Sequence, residues 1–283
     1  MKAHNNLCGK ESRHFGEPAS VKTSRGRTRN RLLLLVLIAA TGVMPVMQSC
    51  DKEGSNGVST AGIITTINGF RSGEGSADFA DGGITSFRAG DMIGIFVISD
   101  DQHFQSNMPY SLTEDGKWEA DEYPIEYVAG AEYIAYYPYS SIMNIAGSSD
   151  DIIAAFYPEQ NQATAEAFRS SDLLIWSGKA AGNSGAWRLK IEFEHAMSLV
   201  EVDPREEKEH NALNDVKVNI RAAGVNHSAF PGGDNIWRAI VKPEGFAVVE
   251  VSYKYSGVDY GWDNTEDPIE LEAGCFFWES AVG

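Results

Sequence analysis

Residues 187–195, WRLKIEFEH, alternate without a break: Trp187, Leu189, Ile191 and Phe193 fall on one side, Arg188, Lys190, Glu192 and Glu194 on the other. Successive side chains of a strand point to opposite faces, so this stretch predicts a strand in a sheet with one apolar and one wet face. Working outward, residues 58–70 (VSTAGIITTINGF) are rich in Val, Ile and Thr and have the length of one strand. Residues 84–87 and 92–99 (MIGIFVIS) read as strands around a turn at Ala89-Gly90-Asp91, and the apolar run of the second predicts cover on both faces. Residues 110–112 and 117–120 flank a Glu114-Asp115-Gly116 turn and predict a hairpin. Further strands are expected at 125–128, 132–139 and 173–176, while only 163–169 has helical character.

A charged stretch, DPREEKEH at 203–210, interrupts this pattern and is the candidate domain boundary. Beyond it, strands are expected at 216–221, 237–242, 247–255 and 269–278. Turns at Pro231-Gly232-Gly233, Pro243-Glu244-Gly245 and Ala273-Gly274 separate them. Many short strands with regular turn signals give an all-β class, built as sandwiches or barrels.

The N-terminal region reads differently. In RLLLLVLIAATGVMPVMQSC (31–50), basic residues precede about fifteen apolar ones, and the run closes on Cys50. A spanning helix needs roughly 20 apolar residues, so the stretch reads as a secretory signal ending in a lipobox. Lipid on the Cys50 thiol would then hold the mature chain to a membrane. An uncleaved anchor helix is the alternative. The expected organisation is a signal peptide (1–49), a polar tether (50–57), a first β-sandwich (58–203) and a second (204–283).

Without the first 49 residues the chain keeps 15 basic and 38 acidic residues, a net charge of about −23. Such a surface repels phosphate, which excludes nucleic acid as a partner. With Cys8 in the leader and Cys50 lipidated, Cys275 is left as a thiol and no disulfide framework is expected.

Catalytic patterns are missing. There is no HExxH, Walker loop, GxGxxG or EF-hand, and GNSGA (182–186) lacks the spacing of a nucleophile elbow, which leaves Ser184 a loop serine. His195 invites two readings: a ligand or base beside Glu192 and Glu194, or a strand-end histidine satisfied by backbone or a carboxylate. The glutamates face away from it on a strand, which favours the second. Trp187 is expected in the core and Trp262 at the surface, where aromatics would offer a glycan platform. Asp259, Asp263, Glu266 and Asp267 around Trp262 read as solvated charge rather than a Ca²⁺ site. Neither a cofactor nor a metal is expected.

In order, Arg71 after the first strand, AGDMIGIFV (89–97), EYIAYYPYS (132–140), FYPEQNQ (156–162), SDLLIWSG (171–178) and LKIEFEHAMSLVEV (189–202) complete a set. With these motifs behind a lipobox, the chain resembles fimbrillin-like proteins, the lipoprotein pilins and accessory subunits of Bacteroidales pili. The second half resembles them only in strand pattern. The resemblance implies two tandem transthyretin-like β-sandwiches, no enzymatic activity, and surface export as a lipoprotein of the outer membrane. It also implies assembly with other fimbrial subunits by strand exchange. An arginine-specific protease would cut at Arg71, in FRSGEGSADF, and free the strand at 58–70. Arg88, in FRAGD, is the rival and is expected to be less accessible. The last strand is itself the donor, or the chain is truncated, or it is a non-polymerising anchor or tip subunit. A glycan- or ligand-binding surface lipoprotein is the alternative function, with a secreted hydrolase a third.

Overall fold

The alternation of residues 187–195 is realised in full. In a computed structural model, residues 186–195 form a strand whose side chains alternate between exposed and buried at every position. The structure describes residues 62–70, 83–99, 102–143, 147–204, 213–233, 235–255 and 257–280. The expected signal peptide, the tether, Cys50 and Arg71 lie outside the described residues.

The first half runs β1 (Gly62–Ile67), β2 (Met92–Ser99), β3 (Gln102–Leu112), β4 (Trp118–Ala120), β5 (Glu132–Tyr137), α1 (Ser149–Ala155), α2 (Ala165–Ser170), β6 (Leu174–Gly178), β7 (Ala181–Asn183) and β8 (Ala186–His195). The second runs β9 (Ser198–Asp203), β10 (Asn214–Ala222), β11 (Val225–Ser228), β12 (Phe230–Pro231), β13 (Trp237–Val241), β14 (Phe246–Tyr255), β15 (Val258–Asp263), β16 (Ile269–Glu270) and β17 (Phe276–Ser280). Strand dominates, as the all-β reading expects.

The first sheet has the order β1-β8-β6-β5-β2-β3-β4, with β7 continuing the β6 arm against β8. It folds over on itself, because Trp118 Nε1 on β4, one edge, donates to Thr65 Oγ1 on β1, the other edge, at 3.1 Å. Ile93, Ile95, Tyr133, Leu189, Ile191 and Phe193 fill the space between. Each such side chain, fully buried, contributes roughly 1.5–3 kcal/mol.

The second half is a sandwich of two sheets, β11-β10-β14-β15 with β16 on β14, and β12-β13-β9-β17. Val200, Val202 and Val241 from one face Val218, Ile220 and Val249 from the other. A third apolar layer joins the halves: Phe96, Ile134 and Tyr136 from the first sheet meet Leu199 and Ile240 from the second half, with Ile152 of α1 and Phe168 of α2 between. This is why MIGIFVIS is apolar throughout. Ile93, Ile95 and Val97 face the first core while Phe96 faces the joining layer.

Several expected strands are absent, and in each case a side chain has taken the backbone hydrogen bonds. Residues 84–87 form none, since the Ile84 N–H donates to Asp172 Oδ2 at 3.0 Å. Residues 125–128 form none either. There Ile125, Glu126 and Val128 donate to Tyr110 Oη, Gln105 Oε1 and Tyr133 Oη. The expected strand at 269–278 is two strands, β16 and β17, parted by the turn at Ala273-Gly274. The helix α1, not foreseen, starts on a capping box between Ser148 and Asp151. Strand β3 also extends well beyond 110–112 and tolerates Pro109. Its carbonyl accepts from Asp121, just past β4, so the missing N–H faces the β4 side, beyond the last ladder pair at Tyr110 and Ala120.

Cys275 is buried and disulfide-bonded in the full chain, whereas the lone thiol is the expectation for a chain without residues 1–49 and with lipid on Cys50.

Candidate functional site

Strand β1 is the element on which the expected strand exchange would turn. It lies at the edge of the first sheet and runs parallel to β8, with Ile63 opposite Leu189, Thr65 opposite Ile191 and Ile67 opposite Phe193. Those three β1 side chains are half-buried and face the core, while Ile64 stands outward and half-exposed. The ladder extends one step further, where the Asn68 N–H donates to the Phe193 carbonyl at 2.9 Å.

Beyond the ladder the chain turns inward at Phe70, which is 1% exposed. Its ring lies flat on the imidazole of His195, with centroids 3.8 Å apart and planes 16° from parallel. Gly83 borders the edge of the stacked pair, where an added Cβ would fall 2.4 Å from Phe70 Cε2 and 3.2 Å from His195 Cε1. His195 Nδ1 meets Asp172 Oδ1 at 2.8 Å, and Asp172 Oδ2 accepts the Ile84 N–H. The two chain ends that flank residues 71–82 are therefore held by one buried pair, Phe70 through His195 and Ile84 through Asp172.

This arrangement decides the reading of His195. One face of its ring is occupied by Phe70 and Nδ1 by a carboxylate, so it is the satisfied strand-end histidine. Glu192 and Glu194 point to the opposite, exposed face. A cavity of about 530 Å³ beside the pair is lined by Ile67, Asn68, Gly69, Thr85, Glu194, His195 and Gly274.

Arg88, the rival cleavage site, is exposed. Its backbone is nonetheless locked, because the Arg88 N–H donates to Asp91 Oδ2 at 2.7 Å and the Asp91 N–H returns to the Arg88 carbonyl at 2.9 Å. Asp91 is fixed in turn by an ion pair with Arg169, whose guanidinium lies 5.6 Å from the centre of the Tyr137 ring. Burial pushes the Tyr137 hydroxyl up to about 12.

The remaining candidates do not converge. Ser184 is exposed at the tip of the β7–β8 hairpin. Trp187 is buried as expected, but Trp262 is half-buried against the second core, and none of the six tryptophans is exposed. Asp259 and Asp263 are exposed on β15 and Glu266 and Asp267 follow it, and among the described residues no three His, Cys, Asp or Glu side chains group as metal ligands would. Asp263 accepts from the Thr265 N–H at 3.0 Å, and hydrogen bonds from Thr265 hold its carboxyl below the usual range.

The FYPEQNQ motif works at the joint between halves. The Gln162 N–H donates to the Ser228 carbonyl and the Ser228 N–H to Gln160, so the segment adds itself to β11. His227 donates from Nδ1 to the Glu159 carbonyl at 2.9 Å, and burial lowers its pKa below the ordinary value.

A profile of the fimbrillin-like family matches residues 80–274. Among curated proteins, the chain is 29% identical over 186 residues to the "Putative fimbrium tip subunit Fim1C" of Bacteroides ovatus, covering 60% of this chain and 33% of that one. Its structure is similar to that of a fimbrial protein from Bacteroides ovatus, with a TM-score of 0.57 at 20% identity over 80% of this chain and 49% of the other. A second structure described as a "putative cell adhesion protein", also from Bacteroides ovatus, gives 0.55 at 14% identity, covering 79% and 92%. The fold is that of fimbrial proteins, and the family that matches is one of fimbrial structural proteins, not an enzyme family. The chain belongs to the fimbrillin-like family. It spans about a third of the curated relative's length and about half of the first structural neighbour's.

Proposed function

We propose that the chain is a fimbrial subunit, or an accessory or anchor subunit of a fimbria. It is held at the outer face of the cell by lipid on Cys50 and assembles with other fimbrial subunits by donor-strand exchange after cleavage at Arg71. The supporting observation is the placement of β1, an edge strand tied by a single parallel ladder whose inward side chains Ile63, Thr65 and Ile67 complete a core built by other strands. Withdrawing it would uncover backbone groups of β8 together with Leu189, Ile191 and Phe193, and an unpaired sheet edge with apolar pockets binds an extended segment strongly. Arg71 follows Phe70 directly in the chain, so a cut there would sever the strand just past its last buried residue. The strongly negative surface excludes nucleic acid as a partner.

The test is treatment of the full chain with an arginine-specific protease, followed by electrophoresis without boiling. Heat-stable higher-order species are expected from the wild type and none from Arg71→Ala. A chain that is cut after Arg71 and stays monomeric would overturn the proposal.

A further inference from the structure

We infer that the seat of Phe70 is an aromatic-selecting subsite of the β1 groove, which accepts an extended strand only if it carries an aromatic ring three residues beyond the last inward ladder position. The inference rests on the exchange reading above and adds to it the chemistry of the incoming segment.

The ladder side chains specify little by themselves. Ile63, Thr65 and Ile67 are small or β-branched, only half-buried, and lie on a face that any alternating apolar segment could fill. The Phe70 seat differs in each respect. It is closed, with its occupant 1% exposed, and one broad face of the ring is matched by a flat neighbour. On one side the His195 imidazole lies 3.8 Å away and 16° from parallel. At the ring edge the bare Cα of Gly83 allows close approach, since a Cβ there would come within 2.8 Å of two ring carbons and 3.2 Å from His195 Cε1. An aliphatic side chain cannot lie flat on the imidazole and gains nothing from stacking on it.

The slot is also held in shape without Phe70. Asp172 binds His195 Nδ1 with one oxygen and the Ile84 N–H with the other, and the Asp172 and His195 side chains are each 1% exposed. The residues that would remain once β1 leaves thus fix both walls: His195 is set by Asp172, and Gly83 precedes the tethered Ile84. The neighbouring cavity, lined by Ile67, Thr85, His195 and Gly274 among others, gives a ring a way in alongside β8. Register follows from the same geometry. An aromatic residue seated on His195 places the residue three before it opposite Phe193, as Ile67 is now.

The experiment uses the full chain cut at Arg71, challenged with a fluorescent peptide of residues 61–70 (AGIITTINGF). Incorporation of this peptide is expected, with the Phe70→Leu peptide, which keeps apolar bulk but not the ring, weaker by about tenfold, the size of a buried aromatic stacking contact. A Gly83→Ala chain, whose new methyl group fills the slot, should lose most of that discrimination and take up both peptides poorly and alike. Equal incorporation of both peptides into the wild-type chain would overturn the subsite while leaving strand exchange in place. Failure of either peptide to enter would overturn the exchange reading itself, and the subsite with it.

Discussion

The carboxamide of Gln162 is hydrogen-bonded to both backbone groups of Ile240: the Ile240 N–H donates to Oε1 at 2.9 Å, and Nε2 donates to the Ile240 carbonyl at 2.7 Å. Strand β12 pairs with β13 only at Trp237 and Arg238, and at Ile240 the side chain stands where a further strand residue would. Gln162 is fully buried, and its second amide proton goes to the Glu159 carbonyl at 2.9 Å.

Replacing Gln162 with Leu, similar in size but without the amide, leaves buried backbone groups unpaired at the joint between the halves. A loss of roughly 2–4 kcal/mol is expected, since each unsatisfied buried group costs about 1–3 kcal/mol. Urea unfolding monitored by tryptophan fluorescence measures it, and a loss below about 1 kcal/mol would contradict the role assigned to the amide.

A second prediction concerns Gly94, which lies directly across from Tyr136 on β5. A Cβ there would fall 2.2 Å from Tyr136 Cε1 and 2.6 Å from Asn107 Oδ1, while Tyr136 itself is fully buried. Gly94→Ala should therefore destabilise by about 1–3 kcal/mol through overpacking. Pairing it with Tyr136→Leu, which removes the struck atom, should cost less than the sum of the two single changes. A double-mutant cycle by chemical unfolding detects the difference, and strict additivity would show that the ring is not what excludes a side chain at 94.

What could be read from the sequence follows from which residues acted locally. The alternation from Trp187 to Phe193 and the apolar run of residues 92–99 each report on burial, and both strands lie where those patterns put them. Residues 125–128 look equally strand-like, yet their N–H groups go to the hydroxyls of Tyr110 and Tyr133, partners that only the folded chain supplies. Strand β15 escaped notice for another reason: Val258, Tyr260 and Trp262 do alternate with Asp259, Gly261 and Asp263, but the stretch is almost wholly exposed and its carboxylates read as solvated charge. The same limit applies to the site. His195 was legible as a structural histidine from its place opposite two glutamates. Its contact with Phe70 joins residues far apart in sequence, and neither one announces the other. Phe70 offered one signal, an aromatic residue ending a run of Ile and Thr, which reads as the last step of a strand rather than as a seat.

The buried tyrosines of the joining layer and first core set the alkaline limit of stability. Burial pushes the hydroxyls of Tyr136 and Tyr137 up to about 12 from an ordinary value of 10.0. Each group holds its proton more tightly folded than unfolded, so its contribution is complete below pH 10 and is lost as pH rises from 10 to about 12. Stability should fall across that window, together with a rise in tyrosinate absorbance. Tyr136→Phe, which loses the hydrogen bonds to Asn107 Oδ1 and the Ser140 carbonyl, should be less stable at neutral pH but show a shallower alkaline decline. An unchanged alkaline slope in that variant would rule out Tyr136 as a contributor.

The hydrogen bond from Trp118 Nε1 to Thr65 Oγ1 is a contact between the two edges of the first sheet, and it bears on how firmly β1 is seated. Thr65→Val keeps the shape and the strand preference at 65 while removing the acceptor, which leaves the half-buried indole N–H without that partner. A cost of about 1–2 kcal/mol follows from one lost side-chain hydrogen bond with its donor stranded. That cost should fall on β1 rather than on the whole fold, because Trp118 and β4 remain held by the hairpin with β3. Amide hydrogen exchange is the measurement: residues 62–67 should exchange about tenfold faster per 1.4 kcal/mol lost, with β2 and β5 unchanged. Uniform acceleration across all strands would instead mean that β1 opens only when the entire sheet does, and such a strand could not be withdrawn on its own.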